Sequence, residues 1–563
     1  MIRHLLAVAA LAAATACASG SAPRAPGEAA PQPAAIPSIT RTSDGRPLPR
    51  TRAERTEYRE TSTYADAVAF LDSLEGLGAP MARGSLGKSS EGRDLPYVIL
   101  SRPLVRTPAE ARALDRPVVF VQGNIHAGEV EGKEAVQALV RDLAFAPAGP
   151  SVLDSIVLVA LPVYNADGNE RFGPQARQRS AQNGPELVGQ RPNAQMLDLN
   201  RDYIKAEAPE TRAALAAFAA WDPDVFVDLH TTNGSYHGYA LTYSSSLYPG
   251  LPAATYTQDS LLPVLRRRMQ ERHDFPVFDY GNFPREFEGA SLTDSVKKRW
   301  ETYDFRPRFG SNYYALRGRV SILSEAYSHD PFERRVASSY AFVREILSLS
   351  AERRAALMRL RADTVPPRQV ALRAELPANP PPQPVVVEVL EATGDSSVTQ
   401  PGVPAGIRRT GRYHTIVMPV ADRFVATLTA PLPEAFIVPA KDTAIVSALR
   451  QHGVMVQRLQ REWYGQVATF TMDSVITAER PFQGHREVRL EGRWTESRMT
   501  VPAGAFVVPG RQRLGALALV LLDPRSADGL ATWNRLDPDL KPGWVFPVFQ
   551  VRGAMNAERV ALP

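Results

Sequence analysis

The amino-acid sequence predicts an α/β protein with a mixed, mostly parallel twisted sheet flanked by helices, followed by a β-rich accessory region. Wholly apolar, β-branched runs of strand length recur through the first part of the chain, and segments with helical apolar spacing lie beside them. This alternation is typical of β–α–β units, whose crossovers make neighbouring strands parallel. After about residue 385 the chain changes to short valine-rich runs between turn residues, which predicts the β-rich region.

Each predicted buried strand of the sheet is a short apolar run. The four runs are residues 117–122 (PVVFVQ), 155–163 (SIVLVALPV), 223–229 (PDVFVDL) and 319–323 (RVSIL). Apolar residues at helical spacing predict helices at residues 64–77, 134–145, 207–221 and 331–361, and in the C-terminal region at 444–451 and near 529–534. Reactive groups in a sheet of this kind collect just past the carboxyl ends of its strands, so a functional site is expected there.

Composition shifts divide the chain into five predicted segments. They are a signal peptide (1–16), a cysteine and disordered tether (17–60), the α/β domain (61–365), a proline-rich linker (366–384) and the β-rich C-terminal region (385–563).

The N-terminus predicts export. A basic start at Arg3 and His4 precedes an apolar run at 5–16 that is too short to span a bilayer and is typical of a signal peptide. Two cleavage alternatives are open: Ala14-Thr-Ala16 suits ordinary signal peptidase, and Cys17 with its small followers resembles a bacterial lipoprotein box. We expect a lipoprotein on the periplasmic face of a bacterial membrane, or otherwise a periplasmic or secreted protein.

Composition and charge exclude some classes of protein. Of 563 residues, 44% are apolar and 22% charged, which is typical of a soluble globular chain with two or three domains. The net charge of +5 is spread without a Lys/Arg run, so no nucleic-acid partner is expected. Cys17 is the single cysteine, so the chain cannot form an internal disulfide.

Potential metal ligands stand at the ends of three predicted strands. His126 and Glu129 follow the first apolar run, His230 follows the third, and Glu325 follows the fourth. Only nine histidines occur in the chain, yet two of them end strands of one sheet. Zinc prefers imidazole and carboxylate ligands, and a catalytic zinc site uses three protein ligands and one open position. The pattern therefore predicts one zinc ion per chain, bound by His126, Glu129 and His230.

At these residues the sequence resembles the zinc carboxypeptidase family, over roughly residues 83–335. The matching motifs, in chain order, are Gly87-x-Ser-x-Glu-Gly-Arg93, Gly123-Asn-Ile-His126-Ala-Gly-Glu129, Val163-Tyr-Asn165-Ala-Asp-Gly168, Asp198-Leu-Asn200-Arg201-Asp202, Asp228-Leu-His230-Thr231 and Glu325. The order of the motifs and their positions at strand ends make the resemblance specific. It implies that residues 61–365 are a zinc peptidase of carboxypeptidase type. With the export that the N-terminus predicts, the expected substrates are peptides or peptidoglycan-derived peptides.

The resemblance also implies roles for individual residues. His126, Glu129 and His230 would bind zinc, whose fourth position holds a water of lowered pKa. Glu325 would be the general base. Asp198 would orient the first zinc histidine. Asn200 and Arg201 would bind the substrate carboxylate, since the planar guanidinium can donate to both of its oxygens.

Some positions depart from the family pattern. Gln195 stands where an arginine that polarises the scissile carbonyl is expected, and Arg191 is the nearest upstream substitute. Gly128 stands where many digestive members carry a peptide-binding arginine. Three tyrosines fit the spacing of the mobile tyrosine of the substrate pocket: Tyr303, Tyr313 and Tyr314.

Two alternatives to a carboxypeptidase stay open. One is a zinc amidase or deacylase that acts on cell-wall peptides or acyl-amino acids through the same site. The other is a non-catalytic surface-binding lipoprotein, which the complete ligand set and Glu325 disfavour. In all three cases contact with a membrane is expected only through a lipid anchor at Cys17.

Overall fold

The computed structural model describes Ile36 and residues 39–284, 297–363, 365–400 and 403–562. The predicted signal peptide, Cys17 and the first part of the predicted tether lie outside the described residues. Among the described residues, no helix combines the length and the apolar character needed to cross a membrane.

The described part contains strands and helices in regular alternation up to about residue 360 and mostly strands after it. The strands are β1 (Ala82–Lys88), β2 (Asp94–Leu100), β3 (Val118–Gly123), β4 (Val157–Leu161), β5 (Gly173–Pro174), β6 (Leu187–Val188), β7 (Val225–Thr231), β8 (Leu241–Ser245), β9 (Val277–Asp279), β10 (Trp300–Glu301), β11 (Val320–Ala326), β12 (Gln369–Glu375), β13 (Pro382–Ala392), β14 (Ile407–Ala421), β15 (Val425–Pro431), β16 (Ala435–Val438), β17 (Gln457–Leu459), β18 (Trp463–Thr477), β19 (Val488–Val501), β20 (Phe506–Pro509), β21 (Phe549–Val551) and β22 (Arg559–Ala561). The helices are α1 (Arg52–Arg55), α2 (Tyr64–Gly76), α3 (Pro108–Ala113), α4 (Glu131–Ala144), α5 (Ala166–Asn169), α6 (Gln175–Gln178), α7 (Pro209–Trp221), α8 (Pro252–Tyr256), α9 (Leu262–His273), α10 (Gly310–Ala315), α11 (Phe332–Glu352), α12 (Arg354–Ala362), α13 (Thr443–Gln451) and α14 (Gly515–Leu522).

An eight-stranded sheet, ordered β1-β2-β4-β3-β7-β11-β8-β9, forms the scaffold of the α/β part. Its four central strands, β4, β3, β7 and β11, are parallel, whereas β2 runs antiparallel to β4 and β8 antiparallel to β11. Every residue of the four central strands is buried, as their apolar, β-branched sequences require. The predicted fold class, a mixed and mostly parallel sheet between helices with a β-rich region after it, is confirmed.

Both faces of the sheet are covered, but by different parts of the chain. Helices α2, α4, α9 and α11 pack on one face around Val119 and Val121. On the other face Phe120 and Phe226 share one hydrophobic core with α7, with α10 and with residues of the C-terminal region such as Leu517 and Trp533. The C-terminal region is therefore part of the cover of the sheet.

Strand register brings the carboxyl ends of the central strands together. Glu325 of β11 pairs with His230 of β7, and Gly123 at the end of β3 pairs with Leu229. His230 and Glu325 are each the second-to-last residue of their strand. The apolar runs predicted that both residues follow the end of the strand.

The C-terminal region is built on a seven-stranded sheet, ordered β19-β18-β21-β16-β20-β17-β22. The segment predicted as a linker, residues 366–384, contains β12, which pairs with β15. The predicted helix at 444–451 corresponds to α13, whereas residues 529–534 form turns and α14 was not predicted.

Candidate metal centre and active site

The three predicted zinc ligands converge at the carboxyl edge of the sheet. His126 lies in the loop after β3, Glu129 ends that loop just before α4, and His230 lies in β7. Their ligand atoms all lie within 4.8 Å of one another. Nδ1 of His126 is 3.0 Å from Oε1 of Glu129, Nδ1 of His230 is 2.9 Å from Oε2, and the two Nδ1 atoms are 3.2 Å apart. All three side chains are buried.

Neighbouring carboxylates fix which nitrogen of each ring faces the centre. Nε2 of His126 is 3.0 Å from Oδ1 of Asp198, and Nε2 of His230 is 3.0 Å from Oδ2 of Asp228. The Asp198 carboxylate only accepts hydrogen bonds, so the neutral His126 ring donates through Nε2 and carries its lone pair on Nδ1. Nε2 of His230 faces the Asp228 carboxylate, which leaves its Nδ1 facing Glu129. The Nδ1 atoms of both rings and the Glu129 carboxylate therefore face one another, an arrangement suited to a cation between them. The set of two imidazoles and one carboxylate fits zinc.

The pKa shifts of His230 and Glu129 show that the site favours positive charge between the ligands. Burial opposes protonation of His230, but the Asp228 and Glu129 carboxylates outweigh it and raise the pKa of the ring well above its ordinary value. For Glu129, burial favours the neutral form, yet His126 and Arg179 hold the pKa of the carboxyl well below its usual range.

Two asparagines shape the loop that carries His126 and Glu129. Asn124 adopts a positive φ of 65°, which asparagine tolerates better than most residues, and its side chain donates to the carbonyl of Ala127. Asn165, in the Asn-Ala-Asp-Gly turn, donates to the carbonyls of Ile125 and Arg191. The turn therefore joins the first ligand loop to the segment that contains Arg191.

Glu325 lies beside the metal ligands, and one of its carboxylate oxygens is available to accept a proton. Its Oε2 has no hydrogen-bond partner among the described residues. Burial, together with the Glu129 carboxylate, raises the pKa of Glu325 to about 8, although His230 acts in the opposite direction. A buried carboxylate with a perturbed pKa and an unpartnered oxygen at a strand end is suited to accept a proton.

Asn200 and Arg201, which we call the clamp, lie in a short turn capped by Asp198. The Asp198 side chain accepts from the backbone N–H of Asn200 while its Oδ1 also contacts His126. Oδ1 of Asn200 accepts from the backbone N–H of Gly310 at 2.8 Å. The Arg201 guanidinium lies 3.8 Å above the ring of Phe309, an electrostatic attraction between a cation and an aromatic face.

Arg191 lies at the metal end of the site. Its Nε donates to Oδ2 of Asp198 at 2.9 Å, and its Nη1 is 3.5 Å from Oε1 of Glu129. Gln195 is exposed, with its backbone N–H bonded to Asn193. Of the two positions considered for a carbonyl-polarising group, the structure thus brings Arg191 to the centre.

The three candidate tyrosines occupy different environments. The Tyr303 hydroxyl bonds to Oγ of Ser311 at 2.8 Å, and the Tyr303 ring contacts Tyr280 and Phe309 beside the clamp. Tyr313 and Tyr314 are fully buried in the core, with their hydroxyls on His452 and on the carbonyl of Pro223. The structure therefore brings Tyr303 to the site and places Tyr313 and Tyr314 away from it.

Arg179 is a site residue that the sequence analysis missed. Its Nη1 is 3.0 Å from Oε1 of Glu129, and its Nη2 donates to the carbonyls of Thr231 and Thr232 at 2.9 and 3.1 Å. The side chain passes over Gly128, where an added Cβ would lie 2.9 Å from Cγ of Arg179. Arg179 follows α6, between the paired strands β5 and β6, and the missing side chain at Gly128 was the one local sign of it.

Comparison with known proteins agrees with this geometry. Residues 68–274 match the model of the zinc carboxypeptidase family. The chain is 24% identical over 481 residues to carboxypeptidase 2 of Trichophyton tonsurans, covering 82% of this chain and 81% of that protein. It is 24% identical over 506 residues to carboxypeptidase 2 of Trichophyton rubrum, covering 86% and 85%.

Among solved structures, a metallo-carboxypeptidase from Burkholderia cenocepacia is similar over 51% of this chain and 69% of that one, with 20% identity and a TM-score of 0.37. The family match covers His126, Glu129, Asn200, Arg201 and His230. Through this match, residues 68–274 of the chain contain a zinc carboxypeptidase domain.

Proposed function

We propose that this protein is an exported zinc carboxypeptidase that removes residues from the C-terminal end of peptides, with His126, Glu129 and His230 as the zinc ligands. One observation carries the proposal: the facing Nδ1 atoms of His126 and His230 and the Glu129 carboxylate lie beside the unpartnered oxygen of Glu325 and the clamp. A metal ligand set, a base and a carboxylate-binding arginine at one sheet edge are what hydrolysis of a terminal peptide bond requires.

Bound zinc supplies Lewis acidity and lowers the pKa of water at the centre. Oε2 of Glu325 accepts the proton of the attacking water and then donates it to the leaving amine. Arg191, held by Asp198, supplies positive charge beside Glu129 where negative charge develops on the carbonyl oxygen.

The clamp selects substrates that end in a free carboxylate. The Arg201 guanidinium is mostly buried, and burial lowers its pKa, with Asp198 opposing the shift. A buried cation with Phe309 on one face is favourably placed for an anionic group, because both are removed from water. The Tyr303 ring contacts Phe309 and would border the same side of the bound carboxylate.

Export and anchoring are also proposals. The basic start, the apolar run at 5–16 and Cys17 support secretion with lipidation, which would place the enzyme on the periplasmic face of a bacterial membrane. Peptides derived from the cell wall are substrates that this location would offer.

The test uses the purified protein and a mixed peptide library read by mass spectrometry. We expect about one zinc per chain, and stepwise loss of single C-terminal residues that stops after chelation and returns with zinc. A matched library with amidated C-termini should be left intact, because it offers the clamp no carboxylate. Cleavage of amidated or acylated substrates at equal rates would identify an amidase, and internal cleavage would contradict the proposal.

A further inference from the structure

The C-terminal region contacts the loop that supports the clamp. This loop, residues 303–311, contains Arg308, whose backbone N–H donates to Oδ2 of Asp528 at 2.6 Å and whose Nε donates to Oδ1 at 3.0 Å. Nη1 of Arg308 donates to Oε1 of Glu487 at 2.6 Å. Both Arg308 and Asp528 are buried, so water does not compete for these bonds.

A buried tryptophan of the C-terminal region joins the loop to the segment that follows the clamp. Nε1 of Trp533 donates to Oδ1 of Asp528 at 2.9 Å. The Trp533 ring lies 4.4 Å from the Arg308 guanidinium and 4.8 Å from the ammonium group of Lys205. Lys205 lies four residues after Arg201, so one indole contacts both the loop and the segment that follows the clamp.

The next two residues of the loop transmit its position to the clamp directly. Gly310 donates its N–H to Oδ1 of Asn200, and Phe309 stacks under the Arg201 guanidinium. Gly310 is tightly packed, because an added Cβ would lie 2.8 Å from the ring of Tyr203. A shift of Arg308 would therefore move the partners of both clamp side chains.

We propose that Asp528, with Glu487 and Trp533, is a positioning residue for substrate binding: the C-terminal region holds loop 303–311 so that Asn200 and Arg201 can bind the C-terminal carboxylate of the peptide. The proposal rests on the proposed role of the clamp and adds that the clamp depends on residues outside the matched family domain. The C-terminal region thus has a function in substrate binding beyond covering the sheet.

The test compares Asp528→Asn with Asp523→Asn in the full chain. Asp523 is a matched control because it is also buried and also paired with an arginine, but its side chain contacts Arg525 and Gln550 within the C-terminal region. We expect Asp528→Asn to raise KM for free-carboxylate peptides about tenfold with kcat within about twofold, as loss of binding common to ground and transition states predicts. Asp523→Asn should leave KM unchanged.

Hydrogen–deuterium exchange of the same proteins gives a readout that does not depend on catalysis. We expect faster exchange at residues 199–205 and 303–311 in Asp528→Asn alone. If that variant does not fold, Glu487→Gln removes a more exposed partner of Arg308 and should give the same two changes at smaller size. Equal KM changes in both aspartate variants, a fall in kcat at constant KM, or unchanged exchange in both segments would overturn the proposal. A wild-type protein that trims no C-terminal residue would contradict the proposed function, while the exchange result would still decide the positioning role.

Discussion

The metal end and the clamp end of the site differ in where their support comes from. His126, Glu129 and His230 lie at the ends of adjacent parallel strands, and the carboxylates that face the two histidines, Asp198 and Asp228, belong to the same α/β part. The clamp rests on loop 303–311, whose Arg308 is held by Asp528, a residue 220 positions along the chain. Strand register and loops of the α/β part assemble the metal end, whereas the clamp also needs packing of the C-terminal region.

This difference separates two properties that are usually lost together. Zinc binding should tolerate changes in the C-terminal region, because the ligand atoms are fixed by strand register and by short loops. Substrate binding should weaken when the C-terminal region is changed, because the clamp depends on it. Variants that affect one end alone are therefore the sharpest test of the comparison.

The largest effect is expected from a change that removes chemistry at the metal end without removing the metal. Glu325→Gln keeps the shape of the side chain but removes the proton acceptor, so kcat should fall by about 10³-fold or more. Zinc content, measured by elemental analysis, should stay at the wild-type level, since Glu325 is not among the three proposed ligands. Retained activity would show that Glu325 is not the base.

The next effect breaks the clamp and leaves the metal end intact. Arg201→Met removes the charge-assisted hydrogen bonds to the substrate carboxylate and should raise KM by about 10- to 100-fold, with zinc content unchanged. Arg201→Lys is the control, because it keeps the charge but loses the planar fork, and it should fall between wild type and Arg201→Met. An unchanged KM in both variants would exclude Arg201 from carboxylate binding.

A third change tests whether the metal end depends on anything beyond the strand ends. Arg179 donates to the carbonyl of Thr231, next to His230, and contacts Glu129, so it joins two ligand segments. Arg179→Gln should weaken zinc binding about tenfold in competition with a chelator, as is typical when a partner of a metal ligand is lost. The control is Arg177→Gln, an exposed arginine in α6, which should bind zinc like the wild type. If Arg179→Gln also binds zinc normally, the strand ends suffice by themselves.

The same division separates what the sequence predicts from what it does not. The runs that form β3, β4, β7 and β11 are apolar on both faces, and this pattern is specific enough to predict a parallel sheet and residues at its ends. Segment α14, with the sequence GALALVLL, is apolar at every position, so its periodicity does not distinguish a helix from a strand.

Contacts between distant segments have no local pattern at all. Arg179 reaches Glu129 from a small hairpin and donates to backbone carbonyls, which any residue can offer. The spacing that allowed Tyr303, Tyr313 and Tyr314 equally says nothing about burial, which separates Tyr303 from the other two in the structure.

The smallest effect on activity is expected at a contact between the two regions that involves neither clamp side chain. The ring of His452, in the C-terminal region, is buried with Nε2 3.2 Å from the carbonyl of Ile204 and Nδ1 2.9 Å from the Tyr313 hydroxyl. A carbonyl only accepts, so Nε2 carries the proton and Nδ1 accepts from Tyr313. Burial, together with the nearby Arg317 and Arg535, lowers the pKa of His452 to about 4, although the bond to the Ile204 carbonyl acts in the opposite direction.

Because this pKa is depressed in the folded state, the unfolded chain binds the extra proton first as the pH falls. The contribution of His452 to the free energy of unfolding is fully present above pH ~6.5 and is lost progressively as the pH falls towards ~4. The total loss is about 3 kcal/mol. His452→Gln, which retains a donor and an acceptor, should reduce that loss and leave kcat and KM at pH ~7 unchanged. Urea unfolding of both proteins at several pH values measures the difference. An identical dependence of the unfolding free energy on pH would show that burial does not keep His452 neutral. His237, whose pKa burial lowers to about 3, contributes equally to both proteins and cancels in the comparison.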